Sequence, residues 1–478
     1  MKKWIAILLL ITMVLGLMAC GNGDTDGTSS ERFLKVGYGK ACITPTEPVE
    51  MRGGKSTGTV DDLYAITVAL QDEEGNTYIH IVGDLLYGSK DSFCAEIRFA
   101  AQAQLGISPE FITVGGTHTH SSVTYPSNDP ANKRWCQNVF IPQVVASIQQ
   151  AINDLSPAEM YIGRTQTDRL NFVRRYWLTD GTLYEGFTGK HDDEIVSHET
   201  DPDEEIQLVK FVREGKEDVL MVNWQSHATR LTSDGAQYSS DYVGTLRNSV
   251  ESKLGVKCVF YQGAAGNLVS TSRIEGETAV TGSGWVATQK LGNAVADYVV
   301  DACESDIFVK VNPGVIHMKR INVYGEVRKY DYEMVQSAKK VVEYAETTSD
   351  NYEVAAYAAQ FGIETIYHAK AIIRTNSMDD TLPYELNAIS IGDVAFVTLP
   401  MEFFDTSGRQ IKDGSPFEMT VLLGYTCTSG GYIADEVAYS HGGYESYNTN
   451  YVSGTAEIAV GHYLDTLKEL YQIRFVEE

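Results

Sequence analysis

Residues 78–120 read YIHIVGDLLYGSKDSFCAEIRFAAQAQLGISPEFITVGGTHTH, and the order of patterns within this stretch decides the fold class. Tyr78 to Gly83 is a short apolar run of strand length, Asp91 to Leu105 carries helical periodicity, and Phe111 to Gly115 is a second apolar run. Strand, helix and strand in that order make a β-α-β unit. Such units favour a parallel sheet with its chemistry at the carboxyl ends of the strands, which places Asp84 and Gly116-Thr117-His118-Thr119-His120 at one rim. His118 and His120 stand two apart past a strand end, where alternation sends both imidazoles to one face. Two imidazoles on one face suit a shared metal ion or a hydrogen-bonded structural pair.

The pattern returns downstream. Val219 to Trp224 reads as a strand ending near His227, Tyr242 to Leu254 as a helix, and Lys257 to Gln262 as a strand that runs into Gly263-Ala264-Ala265-Gly266-Asn267. Ala388 to Pro400 reads as a hairpin turning at Gly392-Asp393 and delivering Glu402, which then opens a helix. A carboxylate flanked by Met401, Phe403 and Phe404 needs a partner, either a cation or a helix amino terminus. Glu333 to Thr347 and Tyr352 to Gly362 read as a helical pair, and Thr455 to Tyr471 as a closing amphipathic helix. The fold class expected is therefore α/β, a mixed and largely parallel sheet flanked by helices in a single large domain.

The ends of the chain are of a different character. MKKWIAILLLITMVLGLMAC opens with Lys2-Lys3, continues apolar to Leu17 and reaches Cys20 through Leu17-Met18-Ala19. This is the form of an export signal whose cysteine becomes the lipidated first residue of the mature chain, and it is too short for an ordinary membrane span. Residues 21–32 (GNGDTDGTSSER) read as a flexible tether, so the folded body is expected over 33–478. The protein is thus expected to be exported and anchored by lipid to a membrane, at the bacterial cell surface or in the periplasm.

The chain has 478 residues with 38 basic and 64 acidic side chains, a net charge of -26. That balance excludes a nucleic-acid partner, since phosphate binding needs clustered Lys and Arg. Cysteines 42, 94, 136, 258, 303 and 427 are scattered without a CxxC pair, and the sequence gives no pairing among them.

Taken in order, Val36 to Pro45, Gly83-Asp84-Leu85-Leu86, Gly116 to Ser121, Asn223 to His227, Ser239 to Gly244, Gly263 to Leu268, Leu399 to Glu402, and Gly431-Tyr432-Ile433 through Gly443-Tyr444-Glu445 resemble the neutral, non-lysosomal ceramidase family. The resemblance implies one zinc ion held by His118, His227, Glu402 and Tyr432, with His120, Arg174 and Asp241 as catalytic residues. It implies hydrolysis of an amide, ceramide or another small or lipid N-acyl compound, by metal-activated water. Arg174, in Asn171-Phe172-Val173-Arg174-Arg175-Tyr176, suits a substrate oxygen through its forked guanidinium.

The chain also departs from the family. Where relatives carry a serine in the loop after the second β-α-β unit, this sequence has Val269, followed by Ser270. Cys42 replaces an aspartate, Ser429 stands where a second tyrosine is common, and the immunoglobulin-like carboxyl-terminal domain is expected to be absent. Two other readings remain: a metal-dependent barrel, which the late hairpin disfavours, and a membrane-tethered binding lipoprotein without activity, which Val269 favours.

Overall fold

Both expected β-α-β units form, but within a sheet whose other ladders run antiparallel. The computed structural model describes residues 34–87, 91–125, 127–186, 189, 191–231, 236–348, 350–427 and 431–473. The expected signal, Cys20, the tether and Ser429 lie outside the described residues. In chain order the large sheet contains β1 (Leu34–Cys42), β2 (Tyr64–Gln71), β3 (Thr77–Gly83), β4 (Ile112–Gly116), β5 (Ser156–Gln166), β6 (Glu205–Arg213), β7 (Val219–Trp224), β8 (Lys257–Gln262) and β9 (Val309–Val311). Their spatial order is β8-β7-β6-β5-β1-β2-β3-β4, with β9 also against β5.

Only β3–β4 and β7–β8, the pairs at the two edges, are parallel. The ladders between them are antiparallel. The sheet is mixed, as expected, while the expectation of a largely parallel one is corrected. The reason is burial on both faces. Strands such as β7, buried at every residue, show no alternation, and such a run reads as parallel whatever its neighbours do.

A second sheet of β10 (Ile316–Glu326), β11 (Thr381–Ile391), β12 (Val394–Leu399) and β13 (Met419–Gly424) is ordered β10-β11-β12-β13, and its β12–β13 pair is again parallel. The expected hairpin at Gly392 is the β11–β12 connection, with Gly392 at φ 57 in the left-handed region that favours glycine. The two sheets pack face to face through Val36, Val68, Met221 and Val259 against Ile389, Phe396 and Val421. The outer face of the large sheet is covered by helices α1 (Asp91–Leu105) and α2 (Ile141–Asn153) on one half and by α3 (Asp241–Leu254) and α4 (Gly284–Glu304) on the other. These are the stacked layers by which amphipathic elements bury their apolar faces. An open pair of sheets excludes the barrel reading.

The expected helical pair is present as α5 (Tyr332–Ala345) and α6 (Asn351–Ala359), joined by an unexpected third helix, α7 (Ile366–Asn376). The three share a small apolar core of their own. Thr365 caps α7 by accepting from the His368 N–H. The closing helix, α8 (Thr455–Ile473), packs on the second sheet through Ala456, Tyr463 and Leu467. No helix among the described residues is long and apolar enough to cross a membrane.

One core residue makes stability depend on pH. His80 on β3 is buried, its Nδ1 lies 2.7 Å from Thr113 Oγ1, and burial pushes its pKa down to about 3. The unfolded chain binds this proton near 6.5 and the folded chain does not, so the stability contribution falls as pH drops from 6.5 toward 3. Between pH 7 and 5 the His80→Leu variant is expected to lose less stability than the parent by on the order of 2 kcal/mol. Urea unfolding at the two pH values checks this. An unchanged difference between them contradicts it.

Candidate metal centre

The carboxyl ends of the three parallel pairs meet at one place. Tyr87 follows β3, His118 follows β4, His227 follows β7, the loop 263–268 follows β8, Glu402 follows β12 and Tyr425 follows β13. Asn223 ties the strands together there, donating through Nδ2 to Tyr261 O (2.9 Å) and Leu422 O (2.8 Å). Strand ends expose loop backbone and side chains that no ladder needs.

His118 and His120 reach the site by a route other than strand alternation. Strand β4 ends at Gly116, and His118 has φ 62, so the backbone turns between the two imidazoles. The turn is held by bonds from Thr117 N to Gly83 O, His118 N to Leu85 O and His120 N to Ala228 O. The rings end 4.9 Å apart and perpendicular. Glu402 does not open a helix. It lies in the two-residue strand Glu402–Phe403, paired parallel with Tyr432–Ile433, and it is Asp405 that begins the following helix. Gly266 lets this strand in, since a Cβ there would stand 2.4 Å from Glu402 O.

Ligand-capable nitrogens of His118, His120 and His227 lie within 4.8 Å of one another. Their hydrogen bonds distinguish them. His118 Nδ1 is 2.7 Å from Leu86 O, and His227 Nδ1 is 2.7 Å from Ala265 O and 3.0 Å from Leu268 O. Carbonyls only accept, so in each ring Nδ1 carries a proton, and Nε2, the atom left to bind a cation, faces the site. His120 is the reverse. Its Nδ1 lies 2.7 Å from Arg52 Nη1, a group that only donates, so its Nε2 carries the proton.

Glu402 Oε1 accepts from Tyr87 Oη at 2.8 Å, but Oε2 is buried with no hydrogen-bond donor. That atom stands 3.4 Å from His118 Nε2 and 3.2 Å from His227 Nε2. Burial, assisted by the Arg174 charge, pushes His227 down to about 4, leaving its Nε2 a bare lone pair at neutral pH. An ionised carboxylate oxygen facing two lone pairs in the interior is repulsive unless a cation lies among them. Two imidazoles, a carboxylate and the nearby Tyr432 Oη, 3.5 Å from His227 Nε2, are a nitrogen and oxygen donor set that fits a divalent cation.

Around this set the residues are fixed. Arg174, buried, donates to Tyr432 Oη (3.0 Å), Gly266 O (3.2 Å) and Glu445 Oε1 (2.6 Å). Arg175 also reaches Glu445, at 3.2 Å, and grips Glu199 with two bonds. Tyr425 stacks on His118, centroids 3.8 Å apart, and Tyr87 tilts against the same ring.

The structure thus brings together His118, His120, His227, Glu402, Tyr432 and Arg174. Asp241 is not among them. Its carboxylate accepts from Leu231 N (3.0 Å) and Tyr242 N (2.7 Å), and its own N–H bonds Ser239 Oγ. Burial raises it to about 6. It braces the loop whose Ser239 O receives Thr119 Oγ1, one layer behind the histidines. Val269 pairs with Phe172 in a short antiparallel bridge, and Ser270 is buried after it. Among the described residues Cys42, Cys136, Cys258 and Cys303 are free thiols, and Cys94 Sγ lies in hydrogen-bond contact with Cys427 Sγ at 3.2 Å.

No protein-family model matches this chain, and no curated protein does. Its fold is found among solved structures. A neutral ceramidase from Pseudomonas aeruginosa superposes with a TM-score of 0.70 at 17% identity, over 92% of this chain and 75% of the other. A ceramidase complexed with C2 gives 0.68 at 16% identity, with the same coverage of each chain. The chain therefore has the neutral ceramidase fold.

Proposed function

We propose, from that fold and this donor set, that the protein is a zinc-dependent hydrolase cleaving the amide bond of an N-acyl compound. His118, His227, Glu402 and Tyr432 would hold one ion. The observation that carries the reading is Glu402 Oε2, buried without a donor and facing two imidazole nitrogens whose protons are committed elsewhere. When bound, zinc lowers the pKa of water toward neutrality and polarises a carbonyl.

The protein's own groups supply the rest. His120 presents Nε2–H to the same space, 3.4 Å from His118 Nε2, and is placed to give that proton to a departing amine. Arg174 donates to Tyr432 Oη and so favours it as an acceptor. Tyr87 holds Glu402 in register, and the rings of Tyr87 and Tyr425 screen His118 from water. Val269 offers no hydroxyl, so a water nucleophile suits this chain better than a serine. Cys20 would carry the lipid that holds the exported protein at a membrane, within reach of a lipid amide.

The test is fatty-acid release from short- and long-chain ceramides and from N-lauroyl amides, before and after chelation and zinc reloading. Release that chelation removes and zinc restores is expected. Bound zinc with no release from any of them would turn the reading toward a binding lipoprotein. A second expectation concerns His120→Gln, whose kcat should fall by about a hundredfold or more with zinc content unchanged. Loss of zinc in that variant would instead make His120 a ligand.

A further inference from the structure

Arg52 differs from the other arginines around the centre. Arg174 and Arg175 are buried and paired with Glu445 and Glu199. Arg52 is exposed, on the tip of a small hairpin joining Glu50–Met51 to Gly54–Lys55, and among the described residues it pairs with no carboxylate. Among the described residues its one hydrogen bond is to His120 Nδ1, which leaves most of its five N–H groups without a partner there. In a chain with 64 acidic side chains against 38 basic ones, an unpaired guanidinium at this place is not a product of composition.

Its position is set by one ring. His120 has Arg52 on Nδ1 at 2.7 Å and His118 on Nε2 at 3.4 Å, so the guanidinium stands one imidazole away from a candidate ligand nitrogen. Tyr87, Tyr425 and Tyr432 pack against the rings of His118 and His227, the imidazoles beyond His120 from Arg52. An alkyl acyl chain suits the aromatic flank and is disfavoured beside a bare charge. An N-acyl compound bound with its chain on those rings would turn its amine side toward Arg52.

We propose that Arg52 determines specificity by pairing with a carboxylate on the amine side of the scissile amide, so that the preferred substrates are N-acyl amino acids. Their carboxylate lies two bonds from the amide nitrogen, within reach of a group one imidazole from the centre. The planar guanidinium matches a carboxylate with two parallel bonds, which a neutral alcohol head group cannot reproduce. This inference rests on the amide-hydrolysing reading of the same centre.

The experiment compares N-lauroylglycine with N-lauroylethanolamine on the zinc-loaded full chain and on its Arg52→Gln variant, which keeps a donor for His120. The parent is expected to prefer the carboxylate by about tenfold or more in kcat/KM, chiefly through KM, and the variant to lose that preference. Equal or reversed preference in the parent, or a preference that survives the substitution, overturns the proposal. If neither amide is cleaved, the amidase reading fails, and calorimetric binding of the same two compounds still decides. Tighter binding of the carboxylate that disappears in Arg52→Gln upholds the anion site, and equal binding overturns it.

Discussion

Replacing Glu402 with glutamine is expected to release the cation and abolish hydrolysis while making the cation-free protein more stable. Without a cation, Oε2 faces the Nε2 atoms of His118 and His227 with no donor at all. A glutamine amide of the same shape turns its NH2 toward those lone pairs and still accepts from Tyr87 through its oxygen. A buried unsatisfied charge becomes a satisfied neutral group, worth about 1 kcal/mol or more to the cation-free fold. The same change removes the anionic ligand, so affinity for zinc should fall by about a hundredfold or more. Metal analysis with thermal unfolding in chelator checks both signs. A variant that keeps zinc, or whose cation-free form is less stable than the parent's, contradicts the assignment.

The second large effect is at Arg174. Arg174→Met leaves Glu445 buried with Arg175 as its remaining cation and takes the donor from Tyr432 Oη. Breaking a buried pair from one side costs about 3 kcal/mol or more, so this variant is expected to be strongly destabilised. Adding Glu445→Gln should return much of that stability without returning activity. Arg174→Lys separates the two roles. One ammonium can keep Glu445 but cannot also hold Tyr432 with the geometry of a fork, and kcat should fall by about a hundredfold while the melting temperature changes little. If Arg174→Lys retains full activity, the bond to Tyr432 has no part in the reaction.

How much of this was legible in the sequence follows from what each pattern encodes. The two β-α-β units were readable because apolar runs and a helical period state them locally. The antiparallel ladders were not, because β7 is buried at every residue and β6 over Ile206 to Val209, and such runs lose the alternation of a one-sided antiparallel strand. His118 and His120 were readable as a pair, but for a reason the backbone does not follow, since alternation cannot foresee φ 62 at His118. Glu402 was found because a hairpin delivers it, whereas its short strand beside Tyr432 depends on a contact 30 residues away in the chain.

Asp241 was selected by resemblance alone, and the loop it braces can be seen only in three dimensions. Tyr87, Tyr425 and Arg52 were missed. Nothing in spacing separates two of 28 tyrosines from the rest, and a single arginine near a glycine pair looks like any solvated turn. Glu445 stood inside a recognised stretch, yet its task of holding two arginines needed their positions.

The central claim is one cation on His118, His227, Glu402 and Tyr432, with His120 beside it as a donor. Anomalous diffraction from zinc-loaded crystals tests it most directly. The account predicts one strong peak bonded to Nε2 of His118 and His227, a Glu402 oxygen and Tyr432 Oη, with one coordination position open and His120 still bonded to Arg52. A peak held by His118, His120 and His227 together, or no peak among these residues, would contradict it.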